Sequence, residues 1–230
     1  MPVHLQIKLN DRLYLRDPQE TKLGRKIIQH SILLIDEIGF ESFTFKKLAE
    51  RIGSTEASVY RYFVNKHLLL VYLSSWYWEW MKFQIDFHTM NIQDPRQRLE
   101  IVLSVMVDTA KRNASIEFVD EDVLHRIVVA EATKAYHTKD VDLENRRGYF
   151  LTFKALSKKI ADIIKEIDPG FPYPQSMASN LLEMANTHIY FAQHLPSLTD
   201  VQMEENQPEK LVEMLHFFAF GLLEGAKPSK

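Results

Sequence analysis

Along most of this chain apolar residues recur every three or four positions, and the exception comes first. Val3, Leu5, Ile7 and Leu9 alternate with other residues, and Leu13 and Leu15 continue the alternation beyond the turn-prone pair Asn10-Asp11. A period of two predicts a short hairpin or an extended stretch, within an N-terminal arm of residues 1–20. From Leu23 the spacing lengthens, and Leu23–Phe45 reads as an apolar first helix. Thr44 can cap a second helix whose Leu48, Ala49 and Ile52 fall on one side before Gly53 ends it. Thr55 starts a third at once, carrying Ala57 to Phe63, with Val59 and Phe63 on a shared i, i+4 face. The other face is polar and aromatic-hydroxyl.

Beyond Lys66 the pattern is helical almost throughout, with no convincing strand. One helix is predicted from Lys66 to about Phe87, with Trp76, Trp80, Phe83 and Phe87 at helical spacing, so that face needs cover from other helices. A second begins at Pro95, a good first-turn residue, and carries Leu99, Val102, Met106 and Val107 to Lys111. Others are expected over Asp120–Tyr136, Asp142–Ile167, Gln175–Leu195 and Pro208–Leu223; the run DPGFPYP stops the second of these and Pro196–Gln207 separates the last two. The expected fold is all-α, with about nine helices, three of them in a head over residues 21–66 and the rest in a helical body over 67–230.

Two short helices joined by a tight turn between Thr44 and Lys66 point to double-stranded DNA. A helix of that size fits the major groove, while hydroxyls, guanidinium groups and helix N-termini hydrogen-bond phosphate oxygens on either side. With the segment before it, the stretch stands as LGRKIIQHSILLIDEIGFESFTFKKLAERIGSTEASVYRYFVNKHLLL. It resembles the N-terminal domain of the TetR family of transcriptional regulators: an apolar first helix, Gly plus an aromatic, a Thr-capped second helix, and the run ending Tyr-x-Tyr/His-Phe-x-x-Lys. The resemblance covers residues 21–70 or so.

That resemblance implies that Thr44 and Lys66 touch phosphates at two helix N-termini, that Ser58, Tyr60 and Tyr62 hydrogen-bond the DNA backbone, and that Arg61 lies at the groove, with Thr55 and Ala57 in the same surface. Glu56 departs from the family pattern, which more often has Lys, Arg or a small polar residue there. Its carboxylate either accepts a hydrogen bond from a cytosine amino group or simply favours the positive end of its own helix. For the arm, Arg12 and Arg16 could reach a minor groove, or the arm packs on the head.

Charge supports a head that differs from its body. The net charge of −3 is unusual for a DNA binder taken whole, but residues 1–66 hold 11 Lys and Arg against 8 Asp and Glu, a net +3, and the remainder 17 against 23, a net −6. With no cysteine, disulfides and thiolate metal sites are excluded. The N-terminus lacks the apolar core of a signal peptide and no stretch approaches the ~20 apolar residues of a membrane span, so the expected location is cytoplasmic, with no membrane partner.

The last two helices are apolar over too wide an arc for one buried stripe. Leu211, Leu215, Phe218 and Leu222 form one line, while Leu181, Met184, His188 and Phe191 line up on the helix before. One face can pack on the body and another needs a partner. TetR-like proteins build a four-helix interface from these helices, so a homodimer reading a palindrome is implied, with repression as its outcome. The family also implies a small-molecule effector in the body; Trp76, Trp80, Phe83, Met106, His125 and Tyr136 would suit an apolar or aromatic one, though such residues equally make a core.

Nothing in the sequence points to catalysis. No Gly-rich phosphate loop, HExxH pair or nucleophile elbow is present, and His188 and His194 are six apart, on different helix faces. No catalytic residue, metal site or cofactor is expected. The competing reading is a dimeric helical ligand sensor or protein-interaction module without sequence-specific DNA binding, for which Glu56 and the weak positive charge speak.

Overall fold

The computed structural model describes residues 7–108, 118–201 and 209–225. Among them are eleven α-helices: α1 Lys22–Ser42, α2 Phe45–Ile52, α3 Glu56–Tyr60, α4 Lys66–Thr89, α5 Pro95–Asp108, α6 Glu121–Glu131, α7 Thr133–Tyr136, α8 Val141–Arg146, α9 Leu151–Ile167, α10 Pro174–His194 and α11 Glu209–Gly225. The count exceeds nine because two predicted helices are each broken. Asp120–Tyr136 divides into α6 and α7 at Ala132, and Asp142–Ile167 divides into α8 and α9 at Gly148. Gly148 has φ 79°, a left-handed turn that a continuous right-handed helix has no room for.

The alternating arm is not a hairpin in its described part. Two single 3-10 turns, Asp11–Leu13 and Pro18–Glu20, replace it. Asn10 and Asp17 cap these turns, each accepting from the backbone two residues on, which competes with strand pairing. The alternation survives as burial: Ile7, Leu9 and Leu13 are buried, and the Gln19 amide bonds both the N–H and the carbonyl of Ile7. Leu15 donates its N–H to the Tyr62 carbonyl at 2.8 Å, and the Arg16 guanidinium lies 5.8 Å from the Tyr62 ring centroid. The described arm therefore packs on the head.

The chain forms two compact units. The first, Met1–Trp80 with Ala110–Phe153, joins the three helices of the head to the start of α4 and to α6–α8. Its core takes Ile28 and Ile32 from α1, Leu48 from α2, Val59 from α3, and Leu69, Tyr72 and Trp76 from α4. α1 is tied to α6 by Arg126, whose Nε and a terminal nitrogen donate to the two carboxylate oxygens of Asp36 at 3.0 and 2.9 Å. This pairing holds the guanidinium in its charged form even more firmly than usual. The second unit, Met81–Thr109 with Lys154–Lys230, packs α10 and α11 on each other and on α5, burying Leu99, Leu103, Leu181, Leu182, Leu211 and Leu215 with the inner face of α9.

Candidate nucleic-acid interface

Local sequence chemistry builds the pair α2–α3. The Thr44 hydroxyl accepts from the Lys47 N–H at 3.2 Å and opens α2. At its other end Gly53, with φ 65°, lets its own N–H and that of Ser54 return to carbonyls of the last turn. Thr55 then caps α3, accepting from the Ser58 N–H at 3.3 Å, and the two hydroxyls lie 2.9 Å apart. Val59 and Phe63 are fully buried and fix the helix to the head, as their shared face predicts.

The opposite surface carries Thr55, Ala57, Tyr60 and Arg61 exposed and Glu56 and Ser58 half-buried, with Thr44 exposed at the start of α2. The Tyr60 ring stands edge-on to Phe45 at 5.0 Å between centroids, so its position is set by the core while 46% of the residue stays in solvent. Lys22, Lys46 and Arg61 have no carboxylate partner among the described residues, whereas Arg51 is paired with Glu37. Lys46 lies on the polar side of the Thr44-capped helix, away from Leu48, whereas Lys22 carries no signal in the sequence.

Two expected phosphate contacts face elsewhere. Tyr62 is 3% exposed, and its hydroxyl is bonded at 2.8 Å to that of Thr21, the residue capping α1. It is a pillar between the α3 end and the α1 start. The Lys66 ammonium donates to the carbonyls of Phe40, Glu41 and Phe43 at 3.0, 3.1 and 3.2 Å and sits 4.8 Å from the Phe40 ring centroid. An ammonium has three N–H bonds, and all are taken by carbonyls of the short turn that follows the kink at Gly39, where φ is 75°, near the end of α1. Lys66→Met is accordingly expected to lower unfolding free energy by about 1–2 kcal/mol through lost charge-assisted bonds. Urea unfolding checks this; unchanged stability with a shallower salt dependence of DNA binding would return Lys66 to the phosphates.

The six effector candidates fall in both units: Trp76, Trp80, His125 and Tyr136 in the first, Phe83 and Met106 in the second. In the first, the Trp76 and Trp80 rings stack at 6.1 Å, Tyr136 stacks on Phe153 at 6.0 Å, and the His125 Nδ1 lies 2.6 Å from the Tyr77 hydroxyl in a buried pair. Burial pushes the His125 imidazolium down to about 4 and raises the Tyr77 hydroxyl well above its ordinary value. In the second, Met106 is fully buried and Phe83 is 40% exposed.

The proposed partner face is partly corrected. Leu181, Leu211 and Leu215 are at most 2% exposed and belong to the protomer's own core. Phe218 and Leu222 stay 42% and 55% exposed, beside Phe217 at 73%. With Met184, His188 and one edge of Leu181 they line a groove of about 340 Å³ between α10 and α11. His188 is half-buried and hydrogen-bonded to Thr199 at 2.8 Å, and Phe191 stands edge-on to it. Among the described residues no helix is long and apolar enough to cross a membrane, and no cluster of three potential metal ligands occurs.

Residues 27–73 match the family model of bacterial regulatory proteins, tetR family. No curated protein matches the chain in sequence. Solved structures share the fold. AibR, crystallised with isovaleryl coenzyme A and operator DNA, is 15% identical over 84% of this chain and 97% of its own, with a TM-score of 0.56. The fatty acid degradation regulator FadR from Bacillus halodurans is 16% identical over 89% and 96%, with a TM-score of 0.59. The superantigen PfiT is 13% identical over 85% and 93%, with a TM-score of 0.56.

Proposed function

We propose that this chain, whose residues 27–73 form a tetR-family segment, is a transcriptional regulator that binds a palindromic operator as a homodimer and releases it when a small molecule enters the helical body. It is a binding protein, not an enzyme, and it acts where the DNA is, in the cytoplasm. The observation that carries the reading is α3: a capped helix pinned by Val59, presenting Ala57, Tyr60 and Arg61 to solvent. Thr44, Thr55, Ser58, Tyr60, Arg61 and the exposed Lys22 and Lys46 are the proposed DNA contacts; Tyr62 and Lys66 act by holding the head in shape.

One head contacts few base pairs, so affinity needs two, spaced at a helical repeat of ~34–36 Å. Exposed Phe218 and Leu222, in the groove between α10 and α11, support these helices as the self-association face. Helix α4 runs unbroken for 24 residues from Lys66, about 36 Å at the helical rise, and contributes to both units, which suits a lever. An effector shifts the balance only by binding better to the state whose heads are wrongly spaced. AibR, of like fold, was crystallised with an acyl-coenzyme A, which makes apolar acyl compounds the first effectors to try.

The superantigen PfiT shows that this fold also serves a different role, and it favours the second reading, a helical sensor or interaction module without operator recognition. DNA binding against salt decides between them. The regulator should select one palindrome and lose affinity steeply from 50 to 200 mM salt, through counterion release. Equal weak binding to every duplex would leave only the second reading.

A further inference from the structure

We infer that Glu56 reads a base: in each half-site its carboxylate accepts a hydrogen bond from the exocyclic amino group of a cytosine in the major groove. The inference rests on the operator-binding reading above.

The alternative role for an acid at this place is local, stabilising the helix it begins, and the geometry of α3 removes most of that role. The helix is five residues long, Glu56–Tyr60, so few peptide dipoles are aligned to attract a carboxylate. In a capping box the glutamate stands three residues after the cap and accepts from the N–H of the cap residue; here that position holds Ser58, whose own N–H goes to the Thr55 hydroxyl. Glu56 stands at the first helical position, where it closes no such box. It also makes no hydrogen bond or ion pair with any described residue, although Arg51 and Arg61 lie within five positions of it and Arg51 is paired with Glu37 instead.

An unpaired carboxylate on the surface that meets a polyanion weakens binding to every sequence unless something in the groove repays it. Charge screening over ~8 Å tempers that repulsion without reversing it. The N-terminal residues of a recognition helix are the ones that reach base edges, and a carboxylate is an acceptor only. Among base edges in the major groove, cytosine offers a donor with no acceptor on the same base; adenine sets its N7 acceptor beside its amino group, opposing the second carboxylate oxygen. Exposed Ala57, next along, adds a small apolar contact suited to a thymine methyl.

The test is selection of binding sites from random duplexes by the full-length dimer and by its Glu56→Gln and Glu56→Ala variants. Glu56 is half-exposed and glutamine is its near-isostere, so neither change threatens folding. The wild type should return a palindrome with one fixed C·G pair per half-site, preferred about tenfold. In Glu56→Ala that preference should vanish while the other positions keep theirs, and in Glu56→Gln it should move to adenine, whose N6 and N7 glutamine contacts together. If all three proteins return the same palindrome, or Glu56→Ala merely binds every duplex more tightly, Glu56 reads no base and the inference is overturned with operator binding intact. If the wild type selects no palindrome, the operator reading fails too, a result distinct from either.

Discussion

Exchange of Phe218 and Leu222 for glutamate should turn the protein into a monomer and cost at least a hundredfold in affinity for a palindrome. In one protomer both side chains are substantially exposed, at 42% and 55%, so the substitutions leave its own core intact. In a twofold interface each change counts twice, and a carboxylate desolvated without a partner costs several kcal/mol. Four such groups exceed the roughly 4 kcal/mol that separates a micromolar from a nanomolar dimer. Sedimentation equilibrium reads the association state, and titration of a single half-site against a full palindrome reads its consequence. Leu211→Glu is the contrast: that residue is fully buried in the protomer, and its replacement should unfold the chain rather than divide the pair. A double variant that stayed dimeric would move the interface elsewhere.

Acidification below pH 6.5 should destabilise the protein steeply, and His125 should account for much of the loss. In the fold this imidazole is buried with its pKa lowered to about 4, while in the unfolded chain it titrates near 6.5. Between those values the unfolded chain binds a proton that the native one refuses, so stability falls with pH by up to about 1.4 kcal/mol per unit, about 3 kcal/mol in all. It is fully present above pH 6.5 and gone below 4. Asp122 and Arg126, the charged groups nearest the ring, oppose each other and leave burial in command. The surroundings agree: Nδ1 lies 2.6 Å from the Tyr77 hydroxyl, itself fully buried, so a proton on the ring would place a charge where its hydrogen-bond partner is neutral. Urea unfolding at pH 7 and pH 5, with His125→Gln as the reference, measures it. Parallel losses in both proteins would assign the acid sensitivity to other groups.

The head was legible because its signals are local. Thr44, Gly53 and Thr55 act on backbone groups within a few residues of themselves, and a cap has the same meaning whatever the rest of the chain does. The breaks were harder: at Gly148 a left-handed residue interrupts the helical run, and at Ala132 the backbone stays right-handed helical, so no residue type marks the division. Tyr62 illustrates another gap. In sequence it lies in the polar-aromatic run after Tyr60; in space its hydroxyl finds Thr21, 41 residues away.

The wide apolar arcs of the last two helices show how far sequence goes. It established that α10 and α11 carry more apolar surface than one stripe can hide, because helical spacing is a property of the chain itself. Which part turns inward depended on α10 and the distant α5, both packed against α11: Leu211 and Leu215 are buried, and Phe217, Phe218 and Leu222 stay in water. Lys66 is the polar counterpart. Its charge and its place at a helix start were readable, but the three carbonyls that accept from it lie 23 to 26 residues upstream, and only tertiary packing brings an ammonium to a turn that far along the chain.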